Sequence, residues 1–360
     1  MNELNQQPRN FGLDLFRAIA ILCVVLVHSS QFLTGTAIDG FPFFRMIDGV
    51  DLFFVLSGFL IGGILLAEIN KQETFGAKQL FNFWKRRWFR TLPAYYLVLI
   101  ANFLMVKYAF IGGDPNQCTW KNFVFLHNFA QPAVDFFWES WSLSVEEWFY
   151  LLSPLLLILC LQFTSPKTAF ISTALVMLVF STVYRICITT NDINHFWFDV
   201  TFRKMVVTRL DSIAFGLVAA WIFYYYRAAW DKAKYGGLLT GIAIMVFILN
   251  YKSPDTSFYN QVILFTITPL SAMLLLPFAQ SLPTASAAIA KPITHISKIS
   301  YSMYLINLGL MIQFMTFNFS GFIADNGILV YIGFWMALVV ASTFLYQFVE
   351  KPMMNLRDKI

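Results

Sequence analysis

RAIAILCVVLVH, residues 17–28, sets a guanidinium and an imidazole at the two ends of ten uninterrupted apolar residues. An ionisable side chain in a membrane span costs about 3 kcal/mol or more unless it faces protein or water, so such a pair marks a working site. Eleven steps of about 100° come close to three whole turns, which puts Arg17 and His28 on one helix face about 16 Å apart along the axis. A ligand with an anionic head and a reactive tail fits that spacing.

The composition around this stretch is that of a membrane protein. With 58% of the 360 residues hydrophobic and 12% charged, the chain has too little polar surface to cover a soluble globule. The 40 Phe, 15 Tyr and 10 Trp suit lipid-facing and interfacial positions. The net charge of +5 comes with no basic run on a soluble module, so nucleic acid is excluded as a partner. Apolar stretches of spanning length fall at 13–33, 49–67, 91–111, 141–162, 168–188, 206–226, 237–250, 260–282, 296–316 and 328–348, the seventh being short. The expected fold is all-α, a polytopic bundle of about ten transmembrane helices. If the N-terminus is cytoplasmic, most Lys and Arg fall on inside segments, and an even number of spans returns the C-terminus to the cytoplasm.

Residues 1–360 read as a single integral membrane domain with no soluble domain, repeat or low-complexity tract. Asp14, Arg17 and His28 interrupt the first span, which argues against a signal peptide. Cys23, Cys160 and Cys187 fall in spans and Cys118 in an outer loop, with neither a disulfide framework nor a metal-binding spacing. No metal is expected.

His28 and Glu146 each lie about five residues, or ~7 Å, inside the outer end of their spans. Ser142 and Glu146 share one helix face, as do Ser300 and Tyr304 with Asn307 continuing the stripe, while Arg209 and Asp211 enter span six from the same side. An outer cavity lined by His28, Glu146, Arg209 and Tyr304 hides these groups from lipid. A carboxylate beside an imidazole fixes its tautomer and stabilises its protonated form, as a general base requires. Arg87 and Arg90 are i, i+3 neighbours at the start of span three, where two forked donors grip phosphates or simply anchor the helix at the cytoplasmic surface. Structural roles stand beside the functional ones: His28 as a cross-link between helices, Glu146 with Glu147 as dipole compensation, Ser57 and Gly58 as close helix packing. Arg185, Arg203 and Lys204 read as a solvated outer rim.

These residues carry a resemblance. LDLFRAIAILCVVLVH (13–28) resembles the first helix of the acyltransferase-3 family of membrane acyltransferases, with its arginine, ten residues, histidine signature. GVDLFFVLSGFLIG (49–62), FWKRRWFRTLPAYY (83–96) with its RxxR, WSLSVEEWFYLLSP (141–154), RLDSIAFG (209–216), ISYSMYLIN (299–307) and FVEKP (348–352) resemble the family's later landmarks, in order, over residues 11–352. Members often carry histidine where this chain has Asn307.

The resemblance implies transfer of an acyl group, commonly acetyl from acetyl-CoA, to a hydroxyl of a glycan or lipid-linked sugar in the envelope of a bacterium, at its inner membrane. It implies His28 as the catalytic residue, supported by Glu146 and Ser142. It puts Arg17, Arg87 and Arg90 on the acyl-CoA, and Arg209, Asp211, Tyr304, Asn307 and Ser57 around the substrate. The acyl-CoA is then a co-substrate, no cofactor is held permanently, and the other partner is membrane lipid. Two roles stay open for His28, base on the acceptor or carrier of the acyl group. The competing class is a proton-coupled or small-solute transporter, in which His28, Glu146 and Arg209 form a relay.

Overall fold

The computed structural model describes residues 9–41, 49–71, 75–133 and 136–359, so parts of the expected connections 34–48, 68–90 and 112–140 lie outside it. Each expected span coincides with a helix: α1 Phe11–Ser29, α2 Gly49–Lys71, α3 Ala77–Lys107, α4 Ser140–Leu161, α5 Pro166–Cys187, α6 Leu210–Tyr225, α7 Arg227–Asn250, α8 Leu264–Ser281, α9 Ala287–Ile306 and α10 Ser320–Leu345. Eight helical segments among the described residues are long and apolar enough to cross a membrane, and α6 is a shorter apolar one. No strand occurs among the described residues. The fold is an all-α membrane bundle.

Several spans start earlier than expected: α3 at Ala77 rather than 91, so that Arg87 and Arg90 lie within it, α9 at Ala287 rather than 296 and α10 at Ser320 rather than 328. Two more differ for identifiable reasons. The seventh, expected only over 237–250, continues helically back to Arg227, because the polar turn carrying Arg227, Asp231, Lys232 and Lys234 projects beyond the apolar slab without breaking the helix. The sixth begins at Leu210 rather than 206, since Val206 and Val207 donate their N–H groups to the carbonyls of Asn128 and Phe129 in the outer connection.

Helices α2 and α6 pack backbone to backbone. A Cβ on Gly58 would sit 2.0 Å from the Ile213 carbonyl oxygen, and one on Gly216 2.2 Å from that of Val55. In lipid, where apolar side chains gain nothing by leaving one another's neighbours for water, such backbone approach is what drives helix association. Gly58 therefore packs, and its neighbour Ser57 is left to turn inward. At the outer end of α9, residues Asn307–Gln313 widen into a π-helix, leaving backbone N–H groups to be satisfied from outside the helix.

Candidate active site

Arg17 of α1, Arg87 and Arg90 of α3, and Glu146 of α4 line one cavity inside the bundle. Three guanidinium groups face a single carboxylate, an excess of positive charge suited to a polyanion. Glu146 accepts a hydrogen bond from the Tyr150 hydroxyl at 3.3 Å, and Tyr150 shares another with Ser57 at 2.8 Å. Glu147 points elsewhere, about 100° around α4. Its carboxylate is buried and accepts from Thr91 Oγ1 at 2.7 Å, tying α4 to α3.

Ser142 and Tyr304 close the outer end of this arginine chamber, with Oγ and Oη 2.6 Å apart. Tyr304 also lines a second cavity, which holds His28, Trp138, Glu139, Asp199, Arg203 and Lys204. His28 Nδ1 lies 2.7 Å from Asn307 Oδ1. The Asn307 amide nitrogen donates to the carbonyls of Met303 at 3.1 Å and Tyr304 at 2.6 Å, so the oxygen is the atom presented to the ring. Nδ1 then carries the proton, and the lone pair resides on Nε2.

The other three histidines are placed differently. His127 Nε2 lies 3.1 Å from Ser140 Oγ, and burial holds its imidazole down to about 4. His195 pairs with Asp255 on the surface, and His295 is exposed beside Thr343.

Glu139, just ahead of α4, organises the outer cavity. One carboxylate oxygen accepts the N–H groups of Leu308 at 3.0 Å and Gly309 at 2.7 Å, both freed by the π-helical widening, and its carbonyl accepts from the Tyr304 hydroxyl at 3.2 Å. Its second oxygen and Asn102 Oδ1 are both buried without a partner and both lie against Gly309. Burial pushes the Glu139 carboxyl up to about 7.

Several expected placements change. Glu146 does not share a cavity with His28: Glu146 lines the chamber of the three arginines, and His28 the cavity with Glu139 and Asp199. Arg209 and Asp211 line neither cavity. Arg209 is wholly buried and paired with Asp51 of α2, and Asp211 is paired at 2.5 Å with Arg185, which is buried in the bundle rather than solvated at a rim. Arg203 and Lys204 do lie at the outer mouth, paired with Asp199. Arg17, Arg87, Arg90, Glu146, Ser142, Ser57 and Tyr304 converge as a group, and His28 meets Asn307. Sequence reasoning missed Glu139 and Asp51, although a carboxylate at the outer start of span four and another inside span two were signals of the same kind as Glu146.

No solved structure matches this chain. The O-acetyltransferase OatA of Staphylococcus aureus strain NCTC 8325 / PS 47 is 27% identical over 367 residues, covering 95% of this chain and 56% of the relative. A putative O-acetyltransferase, SACOL0978 of strain COL, is 26% identical with the same coverage. The chain thus spans about half the length of the curated relatives it matches. The family model described as an acyltransferase domain matches residues 10–346, and the chain belongs to the acyltransferase-3 family.

Proposed function

We propose that this membrane acyltransferase moves an acetyl group from acetyl-CoA, bound from the cytoplasmic side, to a hydroxyl of an envelope or secreted glycan on the opposite side of the bacterial inner membrane. The observation that carries this reading is the pair of cavities meeting at Tyr304, with three arginines in one and His28 in the other. A donor whose phosphates stay on guanidinium groups while its thioester passes Ser142 and Tyr304 joins a cytosolic substrate to an external one. The cluster of Lys78, Arg86, Arg87 and Arg90 at the arginine end supports placing that end, and both termini, in the cytoplasm. The names of the relatives support O-acetylation.

In this reading His28 Nε2 takes the proton of the acceptor hydroxyl as its oxygen attacks the thioester carbonyl carbon. The carbon–sulfur bond breaks, and the imidazolium returns the proton to the leaving thiolate. Asn307 holds the tautomer that leaves Nε2 basic, as a carboxylate does in better-known triads. Purified protein in detergent given labelled acetyl-CoA and a soluble glycan tests the assignment. Transfer by the wild type and its loss in correctly inserted His28→Ala are expected; substantial transfer by that variant would overturn the role of His28.

A further inference from the structure

A third cavity opens beside the arginine chamber, between the last turns of α2 and the first turns of α3. It is lined by Lys78, Arg86 and Arg87, with Phe75 and Phe83 as apolar walls. Glu68 and Asn82 add a carboxylate and an amide to its rim. Arg87 lines this cavity and the arginine chamber alike, and its buried Nε has no partner within the protein. The side cavity holds about 320 Å³ and the arginine chamber about 100 Å³.

A ligand filling both would seat its larger, anionic end among the cations of the side cavity. The catalytic reading leaves Lys78 and Arg86 without a role beyond anchoring. We propose that the side cavity holds the 3′-phosphoadenosine end of the donor, with Lys78 and Arg86 on the 3′-phosphate and Arg87 on the diphosphate at the junction. This rests on the acyl-CoA reading above. Adenine matches the remaining lining: its exocyclic amine donates to the Glu68 carboxylate, its ring nitrogens accept from Asn82, and its faces lie against phenylalanine. Arg90, one turn along α3, joins Arg87 on the diphosphate, and the pantetheine arm then runs past Arg17 toward Ser142 and Tyr304.

The same cations would also suit the phosphate of an anionic lipid headgroup, and the test separates the two. Wild-type protein is reconstituted in phosphatidylcholine nanodiscs, with and without phosphatidylglycerol, and given acetyl-CoA or acetyl-3′-dephospho-CoA. A preference for acetyl-CoA of about tenfold or more in kcat/KM is expected, in line with charge-assisted hydrogen bonds to one phosphate. The double variant Lys78→Gln, Arg86→Gln should use both donors at the poorer rate.

Equal use of the two donors by the wild type overturns the proposal, and that arm needs no variant to fold. A preference surviving in a correctly inserted double variant places the 3′-phosphate elsewhere and also overturns it. So does equal use combined with a dependence on phosphatidylglycerol that the double variant loses, which makes the occupant a lipid. No transfer from either donor defeats the acyl-CoA reading itself, and this site with it.

Discussion

His28 Nδ1 and Asn307 Oδ1, 279 residues apart in the chain, meet at 2.7 Å between α1 and the end of α9. The asparagine amide is locked by two backbone carbonyls of its own helix, so the imidazole is oriented by a group that cannot titrate. Asn307→Ala should therefore lower kcat by about 10- to 100-fold without abolishing transfer, whereas His28→Ala should leave none. A pH–rate profile of Asn307→Ala should keep its acid limb, which belongs to the ring. Loss of that limb would mean that the histidine is not the titrating base.

Arg87→Ala and Arg90→Ala should raise the donor KM more than they lower kcat at saturating acetyl-CoA. Their phosphates would be remote from the reacting carbon, and binding that is uniform between ground and transition states shows in KM. A reporter fused after residue 360 checks orientation. An inverted or degraded protein would make these residues anchors instead.

Glu146→Gln and Glu147→Gln should fail in different ways. The first removes the carboxylate that lines the arginine chamber, so its effect on activity should couple strongly to Arg90→Ala and add independently to His28 substitutions, which lie in the other cavity. The second keeps an acceptor for Thr91 Oγ1 and should change mainly thermal stability. Strong coupling of Glu146 to His28 in a double-mutant cycle would require the two cavities to be one.

Glu139→Gln should preserve activity to within about threefold while Glu139→Ala loses tenfold or more, because glutamine keeps the acceptor for Leu308 and Gly309. The raised carboxyl gives a signed expectation for stability. Between its usual value of 4.5 and about 7 the unfolded group is ionised and the folded one protonated, so raising pH through that window lowers wild-type stability. The difference in melting temperature between Glu139→Gln and wild type should grow from pH 4.5 to 7 and then level off. A flat difference would mean a carboxylate ionised throughout.

Arg209→Ala should reduce the amount of folded protein, at a penalty of about 3–5 kcal/mol, by leaving Asp51 buried without its cation. Asp51→Asn combined with Arg209→Gln should recover much of the yield. A well-folded Arg209→Ala with a raised acceptor KM would return this residue to the substrate.

The helices were legible because an apolar run of spanning length has few other uses, and the RxxR and Ser142–Glu146 faces because helical spacing is rigid. Which cavity a side chain enters was not. Helical spacing gives the depth of His28 and of Glu146 along their own helices, but the cavity each lines depends on how α1, α4 and α9 pack, and there His28 meets Asn307 instead. Partners were hidden for another reason. Arg209 and Asp211 looked like ligands because they are charges in a span, yet their counterions Asp51 and Arg185 sit on other helices, where only the fold brings them together.

The Asp51 pair bears on how the protein is made. The aspartate emerges from the ribosome 158 residues before its arginine. Until α6 is synthesised, α2 holds an acid with no counterion from that helix, so it is poorly suited to partition into lipid on its own. The close approach of α2 to α6 and the full burial of Asp51 therefore wait for the sixth helix. Nascent chains arrested before residue 209 should remain extractable by alkali, and those arrested after α6 has cleared the exit tunnel should not.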